Sequence, residues 1–258
     1  MTRRLALLAC LALLLAACGG GGGEPPPEDA TWQYQLDGTV DTSVPAGIYD
    51  IDLFETRQAT VDELRAAGRT VVCYVNAGAV EENRPDSGTL PADVRGEPLD
   101  DWPDERWLDI RRLDVLEPFL AARFDLCRDK GFHGVEPDNV DGYINDTGFP
   151  LTAADQLAFN RMLARLAHER GLTVGLKNDL DQVDELVGDF DFAVNESCVE
   201  YEECAALRPF VDAGKPVLHV EYDLDLDEFC AETTAMGFRS IRKPLDLTAE
   251  WEPCPPLP

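Results

Sequence analysis

The 258-residue chain predicts an α/β fold, a single-domain (β/α)8 barrel (TIM barrel), from three features of its pattern. Eight short runs rich in Val, Ile and aromatic residues recur after residue 30. Segments of helical periodicity separate them, and a glycine stands where most of those segments should end, shortly before the next run.

In chain order the expected strands are Trp32–Leu36, Gly47–Leu53, Thr70–Val75, His133–Glu136, Thr173–Lys177, Phe192–Asn195, Val217–Glu221 and Ser240–Lys243. Several lack clean alternation, as strands buried on both faces do. Thr60 with Glu63 reads as a capping box at a helix start, and Thr152 with Asp155 as a similar start. Gly68, Gly131, Gly171, Gly214 and Gly237 are expected helix ends. Glu81–Arg106 is polar without strong periodicity and reads as an enlarged loop over the barrel mouth, a usual place for substrate contacts. A doubly wound open sheet is the alternative, but no glycine fingerprint accompanies it; Gly19–Gly23 follows no strand and precedes no helix.

The N-terminus reads as an export signal. Arg3 and Arg4 precede an apolar run from Leu5 to Ala17 that is short for a membrane span and ends in small residues. Leu15-Ala16-Ala17-Cys18 matches a lipobox, in which Cys18 is lipidated and becomes the mature N-terminus. Three parts are therefore expected: a signal peptide over 1–17, a Gly/Pro-rich lipid-anchored tether over 18–30, and the barrel domain over 31–258. Gly19 after Cys18 is not the aspartate associated with inner-membrane retention, which points to an outer-membrane or cell-surface location in a bacterial envelope. The chain is expected to work as a monomer.

Acidic side chains number 50 against 22 basic ones, for a formal charge of -28. Loss of Arg3 and Arg4 would take it to about -30. Such a field repels nucleic acid and anionic lipid and attracts a cationic polymer, although acidity also serves solubility or salt tolerance. Apart from Cys18 the mature chain holds Cys73, Cys127, Cys198, Cys204, Cys230 and Cys254, an even set that favours disulfides in an exported protein. Many connectivities are open. Cys73–Cys127, Cys198–Cys204 and Cys230–Cys254 are the expected pairs, the last two because their partners are local. With three histidines, no HExxH and no CxxC, a zinc site is not expected.

Polar residues gather at the ends of the expected strands: Asp52, Asn76, Glu136 and Asp138, Asn178 and Asp179, Glu196, Glu221 and Asp223, and Lys243. In a (β/α)8 barrel all lie on the C-terminal face, where active sites are found. Two carboxylates facing one cleft are the minimum equipment of most glycosidases. Any single acid after a strand is as readily a helix cap. Glu136-Pro137-Asp138-Asn139 is harder to dismiss, because a rigid proline holds two charges close together on a stiff turn.

Gly131-Phe132-His133-Gly134-Val135-Glu136-Pro137-Asp138-Asn139-Val140-Asp141-Gly142-Tyr143 resembles the signature of glycoside hydrolase family 114, the endo-α-1,4-polygalactosaminidases. Trp32–Leu36, Tyr49–Asp52, Cys73–Gly78, Trp107–Ile110, Gly175–Asn178 and Phe192–Cys198 are similar too, in the family's order. The resemblance implies a TIM barrel with a catalytic Asp after the fourth strand and Glu at the sixth. The matching positions are Asp138 and Glu196. It also implies endo-hydrolysis of α-1,4-linked galactosamine polymers with no metal or organic cofactor. On that basis Asp138 is the expected nucleophile of a retaining reaction and Glu196 the acid and base, with Glu136 an alternative nucleophile or a support for Lys177 or Lys243. Asp52, Asn76, Lys177, Asn178 and Glu221 are candidate substrate contacts. Tyr34, Tyr74, Tyr143 and Trp107 are candidate stacking surfaces, or alternatively core residues. A non-catalytic glycan-binding lipoprotein on the same barrel and a hydrolase of another α-linked polysaccharide are the rival readings.

Overall fold

The computed structural model describes residues 30–100 and 102–255. The expected signal peptide, Cys18 and nearly all of the tether lie outside the described residues. In chain order the elements are β1 (Trp32–Gln35), β2 (Ile48–Asp52), α1 (Gln58–Ala66), β3 (Thr70–Asn76), β4 (Ala79–Glu81), β5 (Arg95–Pro98), β6 (Glu105–Leu108), α2 (Leu113–Lys130), β7 (Gly134–Asp138), α3 (Ala153–His168), β8 (Thr173–Lys177), α4 (Val183–Leu186), β9 (Phe192–Glu196), α5 (Arg208–Asp212), β10 (Val217–Glu221), α6 (Leu226–Ala235), β11 (Arg239–Arg242) and β12 (Glu252–Pro253). None of the described helices is long and apolar enough to cross a membrane.

All eight expected strands form, and they lie side by side in parallel in the order β1-β2-β3-β7-β8-β9-β10-β11, with β12 antiparallel on β11. The result is a nearly closed barrel. Between β11 and β1 the seam is made by side chains and by the C-terminal strap. Trp32 Nε1 donates to Arg239 O at 2.8 Å, Trp251 Nε1 to Trp32 O at 2.7 Å, and Leu36 N to Leu247 O at 3.0 Å. These bonds link the two strand edges across the seam.

Strand parity decides what fills the barrel. Trp32, Tyr34, Ile48, Val72, Tyr74, Phe192, Val194, Leu218, Val220 and Ile241 point inward and form one apolar cluster. The alternate residues, such as Tyr49, Ile51, Val71, Val135, Val174 and Ala193, pack outward against the helices. Gly175 stands where a Cβ would come within 2.4 Å of the Phe192 ring, so the glycine makes room for that side chain.

The helical shell is thinner than eight full units. Six α-helices occur among the described residues, and α4 and α5 have only four and five residues. Thr152 and Asp155 form the expected capping box of α3. Thr60 and Glu63 do not: α1 already begins at Gln58, and the Glu63 carboxylate accepts from Thr42 Oγ1 at 2.7 Å. The glycines at 68, 131, 171, 214 and 237 all have positive φ, which closes the preceding helices in the left-handed conformation.

The segment expected as a loop over 81–106 instead builds a small antiparallel sheet in the order β4-β6-β5. Arg84 ties it to the barrel through Asp52 at 2.7 Å and Glu55 at 3.0 Å. Arg123, almost fully buried on α2, bonds Asp86 twice at 2.8 Å and Asn76 O at 2.8 Å. The disulfides are Cys73–Cys127, Cys198–Cys204 and Cys230–Cys254. They join β3 to α2, close the loop after β9 and fasten the C-terminal strap to α6. Cys198, Cys204 and His219 lie within 4.8 Å of one another, but the disulfide takes both sulfurs, so the group offers no thiolate ligand.

Candidate active site

Three neighbouring strands end in a charged, inward residue followed at once by a left-handed one. Asp138 closes β7 before Asn139 (φ 59°), Lys177 closes β8 before Asn178 (φ 48°), and Glu196 closes β9 before Ser197 (φ 58°). Non-glycine residues rarely adopt this conformation, and its recurrence at one rim of the barrel places local strain at the site. The turn after β3 is packed against the turn after β7: Ala77 N and Gly78 N donate to Asp138 O at 3.1 and 3.0 Å. A Cβ at Gly78 would lie 1.7 Å from Asn139 O, so only glycine permits the approach.

Lys177 is the centre of the constellation. Its ammonium lies 2.9 Å from Asp138 Oδ1, 3.1 Å from Glu196 Oε2 and 3.6 Å from Glu136 Oε1. The first two distances, 2.9 and 3.1 Å, put Asp138 Oδ1 and Glu196 Oε2 no more than about 6 Å apart. Asp138 also accepts from Tyr74 OH at 2.8 Å and from Asn139 N at 2.8 Å. Glu196 accepts from Asn178 Nδ2 at 3.2 Å and from Tyr222 OH. The donors around the two carboxylates thus come from several strands: Tyr74 from β3, Asn139 N after β7, Lys177 and Asn178 at the end of β8, and Tyr222 after β10.

The electrostatics separate the two buried acids of β7. Burial pushes the Asp138 carboxyl up, but the Lys177 charge and the hydrogen bonds from Lys177, Tyr74 and Asn139 N outweigh it and hold Asp138 below the ordinary carboxylate range. Glu136 is fully buried, and burial raises it to about 7 against the opposing pull of Lys177. Asp138 is therefore a ready anion at neutral pH. Lys177 itself is held well above the usual lysine range, because Asp138, Glu196 and Glu136 together outweigh its burial.

Above this group opens a cleft of about 780 Å³, within the range of ligand sites. Thirteen of its lining side chains are carboxylates, against two cations, Arg84 and Lys177, among the described residues. Both cations are already ion-paired. Some of the acids are shifted by their crowding: burial and then Asp141 raise Asp179 to about 8, and burial and then Glu81 raise Glu105 to about 7. Trp102, Ile144, Tyr201 and Leu245, each at least half exposed, also line the cleft. Apolar faces beside dense acids suit a sugar ring that carries positive charge.

The structure places the sequence-derived candidates unevenly. Asp138, Glu196, Lys177, Asn178, Tyr34, Tyr74 and Tyr143 line the cleft together. Tyr34 and Tyr74 are buried and act there as hydroxyl donors, to Glu136 Oε1 at 3.1 Å and to Asp138 Oδ2. Asp52 reaches the cleft wall but is engaged by Arg84. Asn76 is buried behind the wall, where it bonds Glu105 Oε2 at 2.6 Å and Asn139 Nδ2 at 3.0 Å. Glu221 is fully buried and turned outward to His219 Nε2 at 2.9 Å and Val199 N at 2.8 Å. Lys243 points into the seam, towards Gln33 Oε1 at 2.9 Å and Thr248 O at 2.7 Å. Tyr222, Ile144, Tyr201 and Leu245 were not among the sequence candidates, while Asp50 lay only within the block Tyr49–Asp52, and Arg84, Trp102 and Glu105 only within the segment 81–106. Tyr222 carried a local signal, since it continues the inward parity of Leu218 and Val220.

A model of glycoside-hydrolase family GH114 matches residues 15–256 of this chain. Among solved structures, Ega3 of Aspergillus fumigatus, in complex with galactosamine, is 39% identical with a TM-score of 0.85, over 90% of this chain and 98% of that chain. The glycoside hydrolase domain of PelA from Pseudomonas aeruginosa is 14% identical with a TM-score of 0.67, over 86% of this chain and 96% of that chain, a likeness of fold. Comparison with curated proteins gives no match.

Proposed function

The chain belongs to glycoside-hydrolase family GH114, and we infer that it hydrolyses an α-1,4-linked galactosamine polymer internally, with Asp138 and Glu196 as its catalytic pair. It is a polygalactosaminidase-type glycoside hydrolase by family and by its likeness to Ega3. The observation that carries the residue assignment is Lys177, which holds Asp138 and Glu196 at 2.9 and 3.1 Å at the floor of an acidic cleft.

Asp138 Oδ1 and Glu196 Oε2, no more than about 6 Å apart, stand closer than the roughly 6.5–9.5 Å that an inverting pair needs for its water, which favours the retaining course. In the first step an Asp138 oxygen bonds to the anomeric carbon as the bond to the bridging oxygen breaks, and Glu196 gives that oxygen its proton. In the second step Glu196 takes a proton from water, whose oxygen displaces Asp138. Negative charge leaves Asp138 and arises on Glu196 in the first step, then returns. Lys177 touches both groups, so its charge stabilises whichever is ionised without having to travel. Tyr74 and Asn139 N fix Asp138, while Tyr222 and Asn178 fix Glu196.

The excess of carboxylates supports a substrate with free ammonium groups, whose approach such a field accelerates. The rim residues Trp102 and Tyr201 support a polymer that extends beyond the reacting sugar. A panel of amino-sugar polymers, with reducing ends assayed, tests this reading. Absence of cleavage of a galactosamine-containing polymer would sink the substrate assignment. Nuclear magnetic resonance of the first-formed product reads the anomer, and the α form is expected.

The export reading stays a proposal carried by the sequence: Cys18 bears lipid, and the following Gly/Pro-rich stretch tethers a monomeric barrel to the outer membrane or surface of a bacterial cell. Radiolabelled fatty acid should enter the wild-type protein and not Cys18→Ala.

A further inference from the structure

Beneath the catalytic pair, the barrel interior holds two carboxyl groups without solvent contact, Asp50 on β2 and Glu136 on β7. They stand within hydrogen-bonding reach of each other. Glu136 Oε1 accepts from Tyr34 OH at 3.1 Å and faces Lys177. Glu136 Oε2 and both oxygens of Asp50 meet no donor. Ionised carboxylates only accept hydrogen bonds. Two of them here would set like charges in contact in a buried interior and leave three buried acceptors without a protein donor. One proton placed between them removes the repulsion and makes one of them a donor.

We propose that Asp50 holds this proton and donates it to Glu136 Oε2, so that the pair carries a single negative charge, and that both are positioning residues. The charge sits against Lys177 and anchors the ammonium between Asp138 and Glu196 while those two exchange ionisation. Neither residue touches the sugar: their effect passes through Lys177 and Tyr34. In kinetic terms the role rests on the catalytic assignment above, whereas the shared proton belongs to the resting protein.

The surroundings agree. Burial and then the Glu136 charge push the Asp50 carboxyl well above the ordinary range. Around the pair stand Tyr34 from β1, Tyr74 from β3, in register with Glu136, Asp138 from β7 itself, Lys177 from β8 and Glu196 from β9. The inward residues Leu218, Val220 and Ile241 of β10 and β11 are apolar. Lys177 is thus the cation that meets the pair, and loss of the shared proton would draw it away from the catalytic acids. Activity should then fall on the alkaline side.

The test compares the full-length protein with Asp50→Asn and Asp50→Leu. An infrared difference spectrum of the resting wild type against Asp50→Asn at neutral pH should show the carbonyl stretch of a protonated carboxyl in the wild type. The asparagine amide mimics the protonated group, so the alkaline limb of kcat/KM should move to higher pH in Asp50→Asn. Asp50→Leu, which offers no donor, should lose at least about tenfold more kcat than Asp50→Asn. Absence of the band, an unmoved alkaline limb, or equal losses for Asn and Leu would overturn the proposal. Should Asp50→Asn fail to fold, Glu136→Gln supplies the same spectral comparison. A wild type that shows the band but cleaves no polymer would refute the substrate reading and leave the shared proton standing.

Discussion

Lys177 Nζ lies 2.9 Å from Asp138 Oδ1, with the ammonium almost fully buried. At this distance and depth the pair is neither a surface ornament nor a simple strut, because Glu196 shares the same ammonium. Removing the cation should therefore change the chemistry as well as the fold. Lys177→Met is expected to lower kcat by about 100-fold or more. With the opposing charge gone, burial would dominate at Asp138 and raise its carboxyl, so the acid limb of kcat/KM should move to higher pH. An acid limb that stays in place, in a variant with native circular dichroism, would show that Lys177 does not hold Asp138 ionised.

Asp138→Asn and Glu196→Gln should each cost about 1,000-fold or more in cleavage of a galactosamine polymer while keeping a native circular dichroism spectrum. The two roles separate with azide. Asp138→Ala should yield the β-glycosyl azide, because azide replaces the missing nucleophile in one displacement. Glu196→Ala should yield the α-azide, because azide intercepts the glycosyl enzyme. The opposite products would exchange the roles of the two residues.

Stability should peak on the mildly acidic side. Burial and crowding raise Asp179 to about 8, Glu105 to about 7 and Asp141 to about 6 in the folded chain. Unfolded carboxyls titrate near about 4. Between about pH 4 and 8 the folded protein therefore binds more protons than the unfolded one, and its stability falls as pH rises through that window. Asp138 and Asp109, whose carboxyls are lowered, act in the opposite sense: their contribution is present above the unfolded value and lost only at lower pH. The expected outcome is a Tm that declines from about pH 6 to 8, with a shallower decline in Asp179→Asn. A Tm that climbs over this interval in scanning calorimetry would contradict the assignment.

Tyr201 and Trp102, 66% and 50% exposed at the cleft rim, should act on binding rather than on bond breaking. One lost stacking contact is worth about 1 kcal/mol, so Tyr201→Ala and Trp102→Ala should each raise KM for a long polymer roughly fivefold with little change in kcat. Raised salt should add to the effect on a cationic polymer and spare a fully acetylated one, because it screens only the ammonium attraction. A fall in kcat at unchanged KM would place these side chains in the transition state instead.

The strands and their order were legible because their signals are local. Val71-Val72-Cys73, Val217-Leu218-His219-Val220 and the glycines after the helices announce strand and helix end within a few residues, and the structure places each expected strand within two residues of its position. The paired cysteines were legible for a similar reason: Cys198 and Cys204, six residues apart, have few nearby choices. The segment over 81–106 was not legible, since its three short strands are held by Arg84 and Arg123 bonding to residues far along the chain.

Within the site, sequence alone brought out Asp138 and Glu196 through the residues around them, and it identified the chain as a barrel with its polar residues at one rim. Tertiary structure decided which of those residues face one another. A single step along β10 separates Glu221, turned outward to His219, from Tyr222, turned inward to Glu196, because side chains alternate between the two faces of a strand. Asn76 and Lys243 lie at strand ends like Lys177, yet their polar atoms are committed to the wall and to the seam. Asp50 and Glu136 meet only because β2 and β7 curve around a common interior. A strand end tells where a side chain can stand, and closure of the barrel determines what it meets there.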